Sequence, residues 1–418
     1  MSRLEELIED FCPDGVEYKT IGDVCDKITD YVAAGSFADL SKNVIYSSKP
    51  DFAQLVRTTD LKSNFSKDNF VYVSEAAFNY LWRVNLNEES IIMPNIGNCG
   101  EVYYVLPNQL PYENNVLGPN AILVRSSSCD NKFLSYLLQT KEFQFQLNKI
   151  TSPTGQTKFN KTELKKLLIP LPPLPVQHEI VRILDNFTEL TAELTVELTA
   201  RKKQYEYYRD ELFAVTNNAP RKMLGEIAID MYRGSGIKRD QVTEKGTPCV
   251  RYGEIYTTYN IWFDTCVSYT NAKEIQNKKY FEHGDILFAI TGESVSEIGK
   301  CCVYVGHEKC LAGGDIVVMK HNENPKYIAY ALSTTDAQIQ KSKGKVKSKV
   351  VHSSVPALKA IEIPIPPKEE QARIVAILDR FDSLVNDIAY GLPAEIEARR
   401  KQYEYYRDKL LNFKEASA

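Results

Sequence analysis

The 418-residue sequence predicts an α+β fold in which two pseudo-symmetric α/β domains are separated by an antiparallel coiled coil of two long helices. Three observations carry this expectation. The octapeptide KQYEYYRD occurs at residues 203–210 and again, unchanged, at 401–408, and IPLPPLPVQHEIVRILDNF at 169–187 matches IPIPPKEEQARIVAILDRF at 363–381. Behind each matched stretch an apolar stripe recurs every three, four or seven residues. Ahead of each lies a segment of short β-type runs punctuated by turn residues. The chain therefore divides into an N-terminal segment (1–15), a globular domain (16–173), a helical region (174–216), a second globular domain (217–366) and a second helical region (367–418).

Composition bounds the function. Charged residues at 25% and hydrophobic ones at 43% are ordinary for a globular chain. The start, MSRLEELIEDF, is acidic and amphipathic where a secretion signal would be basic and then apolar, and no run approaches the length of a membrane helix; a cytoplasmic location is expected. Nine cysteines without a CxxC pair read as reduced thiols. The net charge of −4 excludes a protein that coats nucleic acid over its whole surface, yet leaves room for local basic patches.

In chain order, Pro13, Asp14, Glu17 and Lys19 spell an apparent PD-(D/E)xK motif, but the intervening residues are too few for the strand hairpin that would gather its carboxylates, so a turn before the first strand is expected. The first globular domain offers the β-type runs VIYSS, FVYVS, SIIMP, EVYYV and AILVR, then a helical signal at NKFLSYLLQTKEFQFQL. The loop at 151–161, TSPTGQTKFNK, carries Gly155, Gln156, Thr157 and Lys158, side chains able to pair with base edges or phosphate beside a glycine that lets backbone approach. Arg57, Thr58, Asn95 and Asn98 are further candidate contacts.

The first helical region sets Ile180, Leu184, Phe187, Leu194, Leu198, Tyr205, Tyr208 and Leu212 on one stripe. A helix of about 36 residues spans about 54 Å, or about 16 base pairs of duplex. Within it TAELTVEL at 191–198 repeats a four-residue unit, each about one turn, so that one unit more or less changes the reach by about 6 Å. Plain helix propensity explains the same unit equally simply.

The second globular domain repeats the pattern with PCVRYGEIY, DILFAITG, CCVYVG and DIVVM, and a helical signal at NPKYIAYALSTTDAQIQ. Weaker matches extend the duplication here: Val56 and Arg57 with Val250 and Arg251, Tyr136 with Tyr330, IIMPNIG with ILFAITG. Its loop at 341–352 holds Lys341, Lys343, Lys345, Lys347 and Lys349 with no acid among them, for which phosphate is the natural counterion. A solvated lysine loop is the plainer alternative. Arg233, Ser235, Lys238, Arg251, Tyr252 and Thr291 are the other candidates in this copy, and each can equally be an ordinary surface residue. The second stripe runs through Ile374, Leu378, Phe381, Leu384, Ile388, Tyr403, Tyr406 and Leu410, with a break near Gly391 and a restart with Pro393 in a first helical turn.

No catalytic set emerges. Cys301, Cys302, His307 and Cys310 fail as metal ligands because neighbouring residues on a strand point to opposite faces. Gly234 and Gly236 lack the rest of a dinucleotide fingerprint, and neither GxxxxGK[ST] nor (N/D)PP(Y/F) occurs.

At IPLPPLPVQHEIVRILDNFTELTAEL with RKKQYEYYRD, and IPIPPKEEQARIVAILDRF with GLPAEIEARRKQYEYYRDKLL, the chain closely resembles the specificity subunit of type I restriction-modification systems, over essentially its whole length. The resemblance implies two target-recognition domains that bind the halves of a bipartite double-stranded DNA site, and two conserved helical regions that form the coiled coil. It implies a non-catalytic subunit that docks two methyltransferase subunits and, through them, restriction/translocase subunits. S-adenosylmethionine, ATP and magnesium would then belong to those partners, with no cofactor or metal in this chain and no membrane. TAELTVEL resembles the spacer-setting repeats of that family. Tyr205, Tyr207, Tyr208 and Arg209, with Tyr403, Tyr405, Tyr406 and Arg407, are the candidate partner-binding residues; at heptad spacing Tyr205 and Tyr208 should face inward and Tyr207 outward. Two rivals stand beside this reading: a coiled-coil adaptor without DNA specificity, and a complete DNA-modifying enzyme.

Overall fold

A computed structural model describes residues 3–152, 157–215, 219–345, 350–386 and 391–416. The chain forms two compact units, Met1–Ala192 with Ala398–Ala418, and Glu193–Glu397.

In the first unit the helix Arg3–Phe11 buries Leu4 in one apolar cluster with Val16 and Leu411. Pro13 and Asp14 form a turn, as the spacing required. At Gly15 (φ +110°) an added Cβ would sit 2.5 Å from the Lys414 carbonyl, because the Val16 N–H donates to that same oxygen at 2.9 Å and ties the chain's start to its end. The strand Tyr18–Thr20 then pairs antiparallel with Leu168–Pro170 and closes the base of the globular part.

Two sheets follow. One is antiparallel, in the order Lys27–Asp30, Ala121–Arg125, Ser90–Pro94, Tyr103–Val105; the other runs Tyr72–Val73, Ala53–Val56, Asn115–Leu117, its last pair parallel. SIIMP and AILVR are unbroken apolar runs because both faces are covered. Ile91, Met93, Ile122 and Val124 pack with Phe133 and Leu134 of the helix Asn131–Leu137, while Ile92, Ala121 and Leu123 pack with Leu55 and Val116 of the second sheet.

The second unit repeats this plan. Its first sheet runs Ala228–Arg233, Ile316–His321, Ile286–Ala289, Cys301–Tyr304, with Trp262–Phe263 added at the edge; its second runs Val242–Thr243, Ser268–Thr270, Thr247–Val250, Cys310–Ala312, Tyr280–Phe281. The parallel pair Thr247–Val250 with Cys310–Ala312 answers the parallel pair of the first unit. Cys301 faces the helical side with Val303, and Cys302 the inter-sheet side with Tyr304, so the two thiols never share a ligand position.

Three local readings are corrected. VIYSS contributes only an isolated bridge at Ser47 to Tyr72, since Ser36 caps the helix Phe37–Asn43 and that helix ends against it. RYGEIY is mostly the helix Tyr252–Thr257, started where the Glu254 carboxylate accepts the Arg251 N–H at 3.0 Å. Helices also occur early in each copy, among them Phe37–Asn43 and Tyr252–Thr257, besides the late ones Asn131–Leu137 and Lys141–Ile150, then Pro325–Ser333 and Thr335–Ser342.

The long helix spans Leu174–Val215, and its carboxy-terminal counterpart is two helices, Lys368–Asn386 and Leu392–Leu410, with Pro393 in the first turn of the latter. Ile388 lies outside the described residues. In the first unit Phe187 stacks on Tyr406 (centroids 5.4 Å apart); in the second, Tyr208 stacks on Phe381 (6.0 Å). Each unit joins helix to globular part through the same triad: Tyr136 and Lys132 donate to the two oxygens of Asp185 (2.6 and 2.7 Å), Tyr330 and Lys326 to those of Asp379 (2.7 and 2.8 Å). Gln177 and Gln371 repeat a second pattern, accepting the Asp130 and Asn324 N–H groups (2.9 and 3.0 Å) and donating to the Pro172 and Pro366 carbonyls (2.7 and 2.8 Å).

Candidate nucleic-acid interface

In both units the segment read as a recognition loop is flanked by a short antiparallel, hairpin-like pairing. In the first, Ile96 bridges Lys158, the Gly97 N–H donates to the Thr157 carbonyl (2.8 Å) and the Thr157 hydroxyl donates back to the Gly97 carbonyl (2.5 Å). Asn95 anchors the hairpin through its amide to the Phe159 carbonyl (3.3 Å), whereas Asn98 and Lys158 are exposed. Gly155 and Gln156 lie outside the described residues. In the second unit Thr291–Gly292 pairs with Val351–His352, and the Thr291 hydroxyl meets His352 Nδ1 at 3.2 Å. Tyr256 lies beneath this hairpin, its ring edge so close that a Cβ on Gly292 would stand 2.7 Å from the hydroxyl, and burial pushes that phenol up to about 12.

The lysine run needs correction at its first member. Lys341 is 5% exposed, donates to the Leu332 carbonyl at 2.6 Å and sits 3.9 Å from Cys301 Sγ, so it anchors the helix Thr335–Ser342 and offers nothing to a phosphate. Burial holds its ammonium below the usual lysine range. Lys343 is exposed and Lys345 partly so. Lys347 and Lys349 lie outside the described residues.

The paired arginines differ. Arg57 grips Asp60 through Nε and Nη2 (3.0 and 2.7 Å) and spends Nη2 also on the Asn69 carbonyl (2.8 Å), which makes it a fold element at the start of the helix Thr58–Lys62. Thr58 beside it is half-buried. Arg251 grips Glu254 through Nε alone (3.1 Å), and neither of its terminal nitrogens is held by the described residues. Arg233 is exposed but pairs with Asp315, and Lys238 is exposed. Ser235 is a second correction: it is buried and its hydroxyl donates to the Asn277 carbonyl, so no base can reach it.

Beside each hairpin lies a groove, and the two grooves are unlike. The first unit's, about 340 Å³, is apolar and aromatic, with Tyr31, Phe37 and Tyr46 facing Asn95, Ile96 and Asn120. The second unit's, about 730 Å³, is charged and glycine-lined, with Arg239 and Arg251 balanced by Glu254 and Asp315. Neither Phe37 nor Asp315 belongs to a motif or charge run that would single it out in the sequence.

The octapeptides, in contrast, repeat their contacts. Tyr205 is buried under Arg209 (5.8 Å from guanidinium carbon to ring centroid), and Tyr403 is covered by Arg407 (5.6 Å). Asp210 accepts the Thr335 N–H in the second unit (3.3 Å), and Asp408 the Lys141 N–H in the first (3.4 Å), each at the start of a helix of the globular part. Arg209 and Arg407 are thus buried in intramolecular ion pairs (2.9 Å each) and hold their tyrosines in place. Tyr207 and Tyr405 stand 61% and 59% exposed. Tyr208 is 43% exposed, which corrects its inward assignment: its ring stacks on Phe381, meets Tyr207 edge to face at 5.5 Å and is otherwise turned to solvent.

Among the described residues no group of side chains gathers to hold a metal ion, and no helix is long and apolar enough to cross a membrane. The family model described as "Type I restriction modification DNA specificity domain" matches twice, at residues 13–201 and 222–398. The specificity subunit of an Escherichia coli type I restriction enzyme is 33% identical over 306 residues, covering 69% of this chain and 73% of that one. A putative type I specificity subunit of Haemophilus influenzae is 34% identical over 297 residues, covering 68% and 72%. A solved chain from a study of assembly and conformational transition in a type I system shares the fold, with a TM-score of 0.58 at 16% identity over 96% of this chain and 98% of that one. The twofold match to nearly the whole length, on two units of one internal plan, places this chain in the type I restriction-modification DNA specificity family, as the non-catalytic subunit that recognises DNA.

Proposed function

We propose that each unit's globular part reads one half of a bipartite duplex target, that the helices fix the spacer between the halves, and that they dock two methyltransferase subunits, one at each octapeptide. The observation that carries this reading is the contrast inside one chain: two octapeptides with the same sequence and the same contacts, and two grooves of unlike chemistry, one apolar and aromatic, the other charged and glycine-lined. Identical surfaces suit two copies of one partner, and unlike grooves suit two different half-sites. In the first unit the amino-terminal part of the long helix meets the last helix, and in the second its carboxy-terminal part meets the helix Lys368–Asn386, the order that antiparallel rods require. Asn98, Lys158, Lys238, Arg251, Tyr252, Thr291, Lys343 and Lys345 remain as contacts to DNA, and Tyr207, Tyr208, Tyr405 and Tyr406 as contacts to partners.

S-adenosylmethionine, ATP and magnesium enter through those partners and through the restriction/translocase subunits they carry. The test is methylome sequencing of a host expressing this chain with its methyltransferase partner. Methylation confined to one bipartite motif is expected. An assembled complex that shifts every duplex equally in an electrophoretic assay would overturn the reading in favour of a protein adaptor.

A further inference from the structure

The charged groove of the second unit contains two glycines that the fold itself does not demand. At Gly236 and Gly253 an added Cβ would have no atom of the chain within 4 Å, and neither residue has a positive φ that would call for glycine. Gly253 even lies in the helix Tyr252–Thr257, where glycine is a poor choice. Most other glycines of this unit meet backbone or packed side chains: Gly234 would place a Cβ 2.2 Å from the Gly313 carbonyl, and Gly313 one 2.8 Å from the Val250 carbonyl. Gly236 and Gly253 both line the groove, so a side chain at either position would project into its space.

Arg251 and Arg239 line the same groove. Glu254, itself buried, holds Arg251 by Nε at 3.1 Å and by the backbone N–H at 3.0 Å, which fixes the plane of the guanidinium and leaves its two terminal nitrogens as parallel donors. The Arg239 side chain is exposed and makes no ion pair or hydrogen bond within the described residues. The first unit lacks the whole device, since Arg57 is doubly bound to Asp60 and does not line that unit's groove.

We propose that Arg251 is the specificity-determining residue of the second half-site and reads a guanine, donating from its two terminal nitrogens to O6 and N7 in the major groove, while Gly236 and Gly253 keep the floor low enough for the base pair's edge to enter. Glu254 is the positioning residue and Arg239 the phosphate contact. The inference rests on the proposed function and adds to it a base, a residue and a half-site.

The test uses the complete complex with its methyltransferase partner, with methylome sequencing and competition binding on duplexes that differ at one base pair. Arg251→Ala and Arg251→Lys should lose about 10- to 100-fold discrimination at a single guanine of one half-site. Every other letter should stay as in the parent. Gly253→Ala supplies the variant that cannot fail by misfolding: it should melt no lower than the parent, and bind the target at least several-fold more weakly. An unchanged motif in both Arg251 variants overturns the proposal, as does a loss of affinity equal for all duplexes, which would make Arg251 a phosphate contact. Gly253→Ala binding as tightly as the parent overturns the role of the groove. A parent complex without any base preference would instead sink the proposed function, so the two failures are distinguishable.

Discussion

Replacing Asp379 by alanine removes one carboxylate that anchors two side chains of the opposite layer. Tyr330 is fully buried and donates to Oδ1 at 2.7 Å, so its hydroxyl loses its partner in a place water does not reach, which costs about 1–3 kcal/mol. Lys326 donates to Oδ2 at 2.8 Å, but this ion pair is about a quarter to a third exposed and Lys326 retains the Trp262 ring 4.0 Å away, so its loss adds at most about 1 kcal/mol. The sum is about 1–4 kcal/mol, which for a unit of about 200 residues lowers Tm by roughly 2–16 °C. Tyr330→Phe removes the buried donor together with its need for an acceptor and should cost less, about 1–2 kcal/mol. Calorimetry of the parent, both single variants and the double variant gives the coupling directly. The double variant should be more stable than the sum of its parts by about 1–2 kcal/mol. Strict additivity, or an Asp379→Ala loss under about 0.5 kcal/mol, would refute the idea that this carboxylate joins helix to domain, and Asp185→Ala in the first unit repeats the experiment independently.

His321 gives a pH signature: burial lowers its imidazole to about 4, so the folded state keeps it neutral while the unfolded state takes a proton below about pH 6.5. Its contribution is complete above pH 6.5 and is lost as pH falls towards 4, by up to roughly 3 kcal/mol; denaturant melts across that window should show the slope in the parent and a flatter one in His321→Asn. Inserting one further TxEL unit after Leu198 should lengthen the spacer by about one to two base pairs and leave both half-sites unchanged; altered half-site letters on methylome sequencing would count against the ruler. The double variant Tyr207→Ala with Tyr405→Ala should keep the parent's Tm within the effect of exposed substitutions yet weaken methyltransferase association at least about 30-fold in sedimentation or pull-down titrations. Undiminished association would remove the octapeptides from the partner interface.

How much of this was legible depended on how each feature is encoded. The duplication, the helix restart at Pro393 and the buried strands were legible because identical letters, a proline and unbroken apolar runs are local facts. RYGEIY was not: its tyrosines and isoleucine suit a strand, and only the Glu254 carboxylate reaching back to the Arg251 N–H turns the segment into a helix. Lys341 reads as one of five equivalent lysines until the fold places a carbonyl and a thiol around it. The equivalence of Arg57 and Arg251 misled in the same way. One acid is an aspartate and the other a glutamate, and that single methylene accompanies the difference between a guanidinium held at two points and one held at Nε alone.

The same physics explains why the two copies share their octapeptides and not their grooves. Four of the eight positions of KQYEYYRD have the same assignment inside their own unit: one tyrosine is covered by the arginine, another stacks on a phenylalanine of the facing helix, and the aspartate caps a helix of the globular part. A change at any of these positions empties a packed or hydrogen-bonded place, which costs on the order of 1–3 kcal/mol. The remaining tyrosine, Tyr207 or Tyr405, touches only the ring of the next tyrosine, edge to face at 5.5 and 5.3 Å, and is otherwise exposed, yet it is the same in both. An exposed ring contact of that kind adds little to stability, whereas a shared partner surface gives a reason for the identity. In the grooves the reverse holds. Phe37 in one and Arg239 in the other are exposed and bear little of the fold, so they can differ without cost to stability, and what they touch sets the sequence each half of the chain selects.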